Sequence, residues 1–214
     1  MPAYGIANSE NLRNTMNFEK HLIEAIQKER VLQNDFANLV DKFEDKISNF
    51  DFERNSILID DYFSFGNGQR NILKKLIAEN KVTEANCRKY ETKDKNIKYD
   101  FKGIYFFLLD SKPFYVGISK GVIGRICQHL KGKNHNTSSL AYKLGLLRYE
   151  YLNGEKYSGS RKELNFVSEV EPVKDFLKKQ RIAWINIEND EELYLFEIFC
   201  SMKFKTILNS FETH

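Results

Sequence analysis

Tyr105 and Tyr115 lie on two short β-prone runs, 103–109 and 114–118, joined by Asp110-Ser111-Lys112-Pro113. Proline presets φ and removes a donor, so the joint reads as the turn of an antiparallel hairpin. Two tyrosines on a hairpin are ordinary by themselves. Arg125 and His129 follow, four positions apart, on one face of a helix expected over about 121–131. Alone, that pair reads as a surface Arg beside a surface His. Glu197 is different, because Leu193, Leu195, Phe196, Ile198 and Phe199 surround it. A carboxylate among such neighbours must be paired, protonated or bound to a cation. Mg²⁺ takes one or two carboxylates plus phosphate and waters, so one Glu suffices if a substrate supplies the rest. Asn209 follows in Thr206-Ile-Leu-Asn209. Together these parts suit phosphodiester cleavage. A metal would stabilise charge on the leaving oxygen, and Arg the charge added to the phosphate. A tyrosine could accept or relay a water proton if nearby cations lower its pKa.

The elements that must hold these groups change character along the chain. From Asn17 to about Phe50 apolar residues recur at helical spacing: Phe18, Leu22, Ile26, then Leu32, Phe36, Leu39, Phe43 and Ile47. One or two helices with a single apolar face are implied, needing a partner in this chain or a second protomer. A short apolar run, Ser56-Ile57-Leu58-Ile59, precedes a turn at Gly66-Asn67-Gly68 and a helix over about 69–80. The charged stretch 88–100 reads as a boundary between an N-terminal helical region, 1–100, and a C-terminal domain, 101–214. Downstream, helices are expected over 140–152, 173–179 and 191–204, with a third strand over 181–188. The class is α+β: a small three-stranded, mostly antiparallel sheet flanked by helices.

Composition sets the outer limits. At 42% hydrophobic and 29% charged residues the chain has the balance of a globular protein. No apolar run approaches a membrane span, and the first residues lack a secretory pattern, so a cytoplasmic location is expected. Cys87, Cys127 and Cys200 are widely spaced and fit small buried side chains rather than a zinc site. Net charge is only +3. Yet residues 101–145 carry Lys102, Lys112, Lys120, Arg125, Lys131, Lys133 and Lys143 against Asp110 alone. That local excess suits a phosphate backbone or an ordinary solvated face.

Gly103-Ile104-Tyr105, Tyr115-Val116-Gly117, Arg125, His129, Glu197 and Asn209 occur in the order of the GIY-YIG nuclease superfamily, which residues 101–214 resemble. Val116 for the usual Ile is a conservative departure, and 152–180 reads as an insertion. The resemblance implies that Tyr105 is the general base or positions the attacking water. It implies that Tyr115 bonds the phosphate or water, Arg125 stabilises the transition state, and His129 assists Tyr105. Glu197 would be the sole protein ligand of one Mg²⁺ or Mn²⁺. Asn209 would orient the site or contact phosphate, and Gly103 and Gly117 would be structural. Lys120 and Lys131 in the basic stretch, with His135 and Asn136 in the loop after it, are candidate substrate contacts. His21, Trp184 and His214 read as helix surface, core strand and tail.

The expected activity is a divalent-metal-dependent DNA endonuclease of restriction or defence type, acting on double-stranded DNA. Dimerisation through the 17–50 helix would serve a double-strand cut. The end of the chain soon after Asn209 argues against a downstream recognition domain, leaving 1–100 or 152–180 to read DNA. A structure-selective repair nuclease, a nuclease acting on RNA, and a non-catalytic nucleic-acid-binding module on the same fold are the competing readings.

Overall fold

The computed structural model describes residues 17, 18, 20–24, 36–63, 68–91 and 95–209. Two compact units divide the chain, residues 1–39 and 40–214. In the first, residues 17, 18, 20–24 and 36–39 are helical, with Phe18, Leu22, Ile23 and Phe36 exposed. Helix α1 (Phe36–Ser48) runs on into the second unit. There Phe43 and Ile47 are buried, Phe43 against Phe196 and Phe199. The expected helical face at Ile26 and Leu32 lies outside the described residues.

The second unit is built on a four-stranded antiparallel sheet, in the order β1 (Ser56–Leu58), β6 (Arg181–Asn186), β4 (Gly103–Leu109), β5 (Lys112–Ser119). Three strands were expected. The fourth is the Ser56-Ile57-Leu58 run, paired with Ala183, Ile182 and Arg181. Arg181 fixes it by donating Nε to Ser56 Oγ at 2.8 Å and Nη2 to Ser56 O at 2.8 Å. The hairpin turn is tighter than the sequence suggests. Asp110 (φ 48°) and Ser111 (φ 62°) are both left-handed, which matches the twist of the flanking strands. Pro113 therefore falls inside β5. The register slips between Phe107 and Leu108, where Phe114 becomes the extra residue, so the strand accommodates a residue without an N–H.

Period-two alternation makes β4 a two-faced strand buried almost throughout. Tyr105 and Phe107 join one core with helices α4 (Val122–Lys131), α5 (Ser139–Asn153) and α6 (Glu171–Lys178). On the opposite face Phe106 packs with Phe50, Phe52 and Phe204 beside helix α7 (Asp190–Phe204). Trp184 is a buried strand residue, as expected. Short helix α2 (Ile59–Phe63) and α3 (Gln69–Ala78) extend the first core through Ile59, Phe63, Ile72, Leu73 and Leu76. The charged 88–100 stretch is not irregular. It supplies most of a separate two-stranded ribbon, β2 (Cys87–Glu91) with β3 (Ile97–Phe101). The 152–180 segment holds a π-turn at 166–170 and α6, whose Val173 and Leu177 are buried in the first core.

Candidate active site

Tyr105 and Tyr115 share one face of the hairpin, because Tyr105 pairs with Gly117 and Phe107 with Tyr115. The Tyr105 ring crosses Gly117 so closely that a Cβ there would sit 2.4 Å from its hydroxyl. Gly103 is equally constrained, since a Cβ would lie 2.3 Å from Ile185 O on β6. Both glycines permit close approach rather than unusual backbone angles.

Helix α4 brings His129 to the buried end of Tyr105. Tyr105 Oη and His129 Nε2 are hydrogen-bonded at 2.8 Å, and His129 Nδ1 is buried with no partner among the described residues. Rings of Tyr105, Tyr115 and His129 are mutual neighbours, with centroids 5.8–6.2 Å apart. Burial holds His129 well below the ordinary imidazole range, reinforced by the Arg125 charge. Burial also pushes Tyr105 well above 10, outweighing the downward pull of Arg125. Nearby cations would be expected to lower such a tyrosine. In the substrate-free protein desolvation wins, so both Tyr105 and His129 are neutral at pH 7. Tyr115 is raised for the same reason, with Arg125 opposing and Glu197 reinforcing.

Arg125 is half-buried. It donates Nη1 to Gln128 Oε1 at 3.0 Å and Nη2 to Ser139 Oγ at 2.9 Å, at the junction of α4 and α5. Helix α4 is placed in turn by a residue the sequence reading did not single out. Asp100 at the end of β3 is fully buried. Its carboxylate accepts from the backbone N–H of Ile123 (3.2 Å), Gly124 (2.8 Å) and Phe101 (2.8 Å), and from Gln69 Nε2 (2.7 Å). It thus caps the N-terminus of α4 from a distant strand, where a negative charge meets the positive end of the helix. No sequence signal points to it, because caps are sought next to the helix they close.

Glu197 reaches the site from α7. Its carboxyl is half-buried, and desolvation raises it to about 7, with Lys143 opposing. Its carboxylate accepts no hydrogen bond among the described residues, where no cluster of three His, Cys, Asp or Glu could hold a metal. A partly desolvated carboxylate that accepts no hydrogen bond among the described residues suits a hard cation that completes its shell with substrate oxygens and waters. Asn209 is committed elsewhere. It donates Nδ2 to Val116 O (2.7 Å) and accepts at Oδ1 from Val116 N (3.0 Å) and Thr206 Oγ1 (3.0 Å). In effect it pairs with the outer edge of β5 and orients the strand bearing Tyr115.

The remaining candidates divide. Lys120 is exposed in the turn before α4, and Lys131 is half-buried in its last turn. His135 turns inward. Its Nε2 is 2.9 Å from Leu164 O, and its ring packs edge-on against Tyr142 and Phe166. Its side chain props the loop after α4 and is not displayed for DNA. Asn136 is exposed in that loop. Cys87, Cys127 and Cys200 are free, with thiols pushed up by burial.

An antiparallel sheet flanked by helices, with paired tyrosines, an Arg and a lone Glu at one edge, is the arrangement of a nuclease-type fold. The model of the GIY-YIG catalytic domain matches residues 92–214, more than half of the chain, and the chain belongs to that family. Neither a curated protein nor a solved structure matches it significantly. No described helix is long and apolar enough to cross a membrane.

Proposed function

We propose that the protein is a divalent-metal-dependent endonuclease of double-stranded DNA, of restriction or defence type. The observation that carries this reading is the meeting of Tyr105, Tyr115, His129 and Arg125 with a half-buried Glu197 at one sheet edge. Glu197 would hold Mg²⁺ or Mn²⁺, which supplies Lewis-acid stabilisation of the phosphate and its leaving oxygen. Arg125, already steered by Gln128 and Ser139, neutralises charge building on the phosphate oxygens. Tyr115 bonds the phosphate from the rim. Tyr105 orients the attacking water and passes its own proton to His129 Nε2 as it accepts the water's. A phosphate's negative charge beside these groups favours the protonated imidazole that burial disfavours. Asn209 acts by holding β5 rather than by touching substrate. Lys120, with Lys131 and Asn136 further along the same helix and loop, lines the approach. The region before the catalytic domain supplies recognition or assembly, with a homodimer making the second cut.

The test is cleavage of plasmid and genomic DNA by wild type and Glu197→Ala, with Mg²⁺, Mn²⁺ or EDTA. Discrete, metal-dependent bands lost in the variant are expected. Cleavage retained by Glu197→Ala would overturn the metal assignment, and nicking or cutting only of branched DNA would move the reading to repair.

A further inference from the structure

Away from the catalytic centre, a groove of about 660 Å³ opens between α3 and the β2–β3 ribbon. Helix α3 lines it with Arg70 and Lys74, and the ribbon with Lys89 and Lys98. All four are exposed, and none makes a hydrogen bond or ion pair among the described residues. Among the described residues, Glu84 is the one carboxylate on the lining. Such an uncompensated concentration of cations on a concave surface attracts a polyanion.

The groove is coupled to the catalytic helix. Gln69, at its wall, donates to Asp100, whose carboxylate caps α4 at Ile123 and Gly124, immediately before Arg125. The ribbon also docks on the turn that carries Lys120. The Tyr90 ring crosses Gly121 so closely that a Cβ there would lie 2.2 Å from its hydroxyl. The wall of the groove is thus joined through Gln69 and Asp100 to the N-terminal turn of α4, which lies between Lys120 and Arg125 in the chain.

We propose that this groove carries the phosphate backbone of duplex DNA flanking the cut. The inference rests on the endonuclease reading and deepens it. Single-stranded DNA is the weaker occupant, because its binding relies on successive aromatic platforms. Among the described residues, Tyr99 is the only aromatic one lining the groove.

The test is fluorescence anisotropy of a short duplex with full-length protein, made cleavage-silent by Glu197→Gln, from about 50 to 200 mM salt. The comparison adds Arg70→Gln, Lys74→Gln, Lys89→Gln and Lys98→Gln together. Four lost phosphate contacts should make the slope of log K against log salt shallower by about 3.6. Over that salt range the parent should then lose roughly 100-fold more affinity than the variant. Equal slopes would overturn the groove while leaving the nuclease reading intact. So would a loss confined to single-stranded DNA. A parent that binds no duplex at any salt would overturn both. If the combined variant fails to fold by circular dichroism, single Lys89→Gln and Lys98→Gln variants decide. Each should reduce the slope by about 0.9, and an unchanged slope in both sinks the proposal.

Discussion

Asp100→Asn is the substitution that most directly tests how this fold positions its chemistry. The carboxylate takes four hydrogen bonds, two at each oxygen. An asparagine keeps one carbonyl oxygen for Phe101 and Ile123, but its NH₂ then faces the Gly124 N–H and Gln69. Gln69 can turn its carboxamide over; the Gly124 N–H cannot. One buried donor is orphaned, at about 1–3 kcal/mol. Removing the negative charge from the helix N-terminus adds about 0.3–1 kcal/mol. Against this, the variant escapes the desolvation that raises the pKa of Asp100. The net expectation is a loss of about 2 kcal/mol in urea unfolding, equivalent to roughly 4–8 °C in Tm. Asp100→Ala should lose more, because it accepts none of the four bonds. At temperatures where the variants stay folded, DNA cleavage should fall in kcat, because the helix bearing Arg125 and His129 loses its anchor. Full stability in both variants would refute the claim that this cap fixes α4.

Glu197→Gln should stabilise the metal-free protein at alkaline pH. The carboxyl at about 7 holds a proton that the unfolded chain releases near 4.5, so its ionisation costs stability as pH rises between those values. The variant should gain about 2 kcal/mol over wild type near pH 8, and none near pH 4, after allowing for solvent screening of a half-buried group. Urea unfolding in EDTA at both pH values checks this, and identical pH profiles would show that Glu197 is not desolvated. Gly117→Ala must displace the Tyr105 ring. A loss of about 1–3 kcal/mol with cleavage nearly abolished is expected, and an active, stable variant would contradict the packing. Arg125→Ala should lower kcat by about 100-fold or more while DNA affinity changes little. Single-turnover kinetics beside anisotropy would expose an equal fall in both, which would make Arg125 a binding residue.

The hairpin was legible as two β-prone runs of aromatic and branched residues around a turn, α4 from the helical spacing of Val122, Ile123, Ile126 and Leu130, and α7 from a long apolar run opened by acidic residues. The ribbon was not. Its fully buried residues, Asp100 and Phe101, lie at one end and Tyr90 is half-buried, while Arg88, Lys89 and Lys98 stand in solvent, so charge masked the strands. Strand β1 is too short for alternation to register. That Arg125 and His129 share one helix face was legible from their spacing within one element; that His129 is fully buried against Tyr105, and not a surface residue, was not. Spacing hides where distant segments meet. His135 was offered to DNA but packs inward against Tyr142 and Phe166. Asn209 bonds the backbone of Val116, which fits the orienting half of its expected role, and Asp100 closes a helix that begins far downstream.

The pairing of β1 with β6 has a consequence for how this molecule is made. Ser56 and Arg181 are 125 positions apart in the chain. At roughly 5–20 residues per second, a ribosome finishes the outer strand about 6–25 seconds before its neighbour exists. During that interval the early strand has unsatisfied N–H and C=O groups and no sheet to join. A fragment starting at residue 92, where the family match begins, reverses the problem. It leaves Ala183 and its neighbours on β6 as a bare apolar template for other chains. Such a fragment should precipitate on refolding where the whole chain stays dispersed, and light scattering of the two would show it.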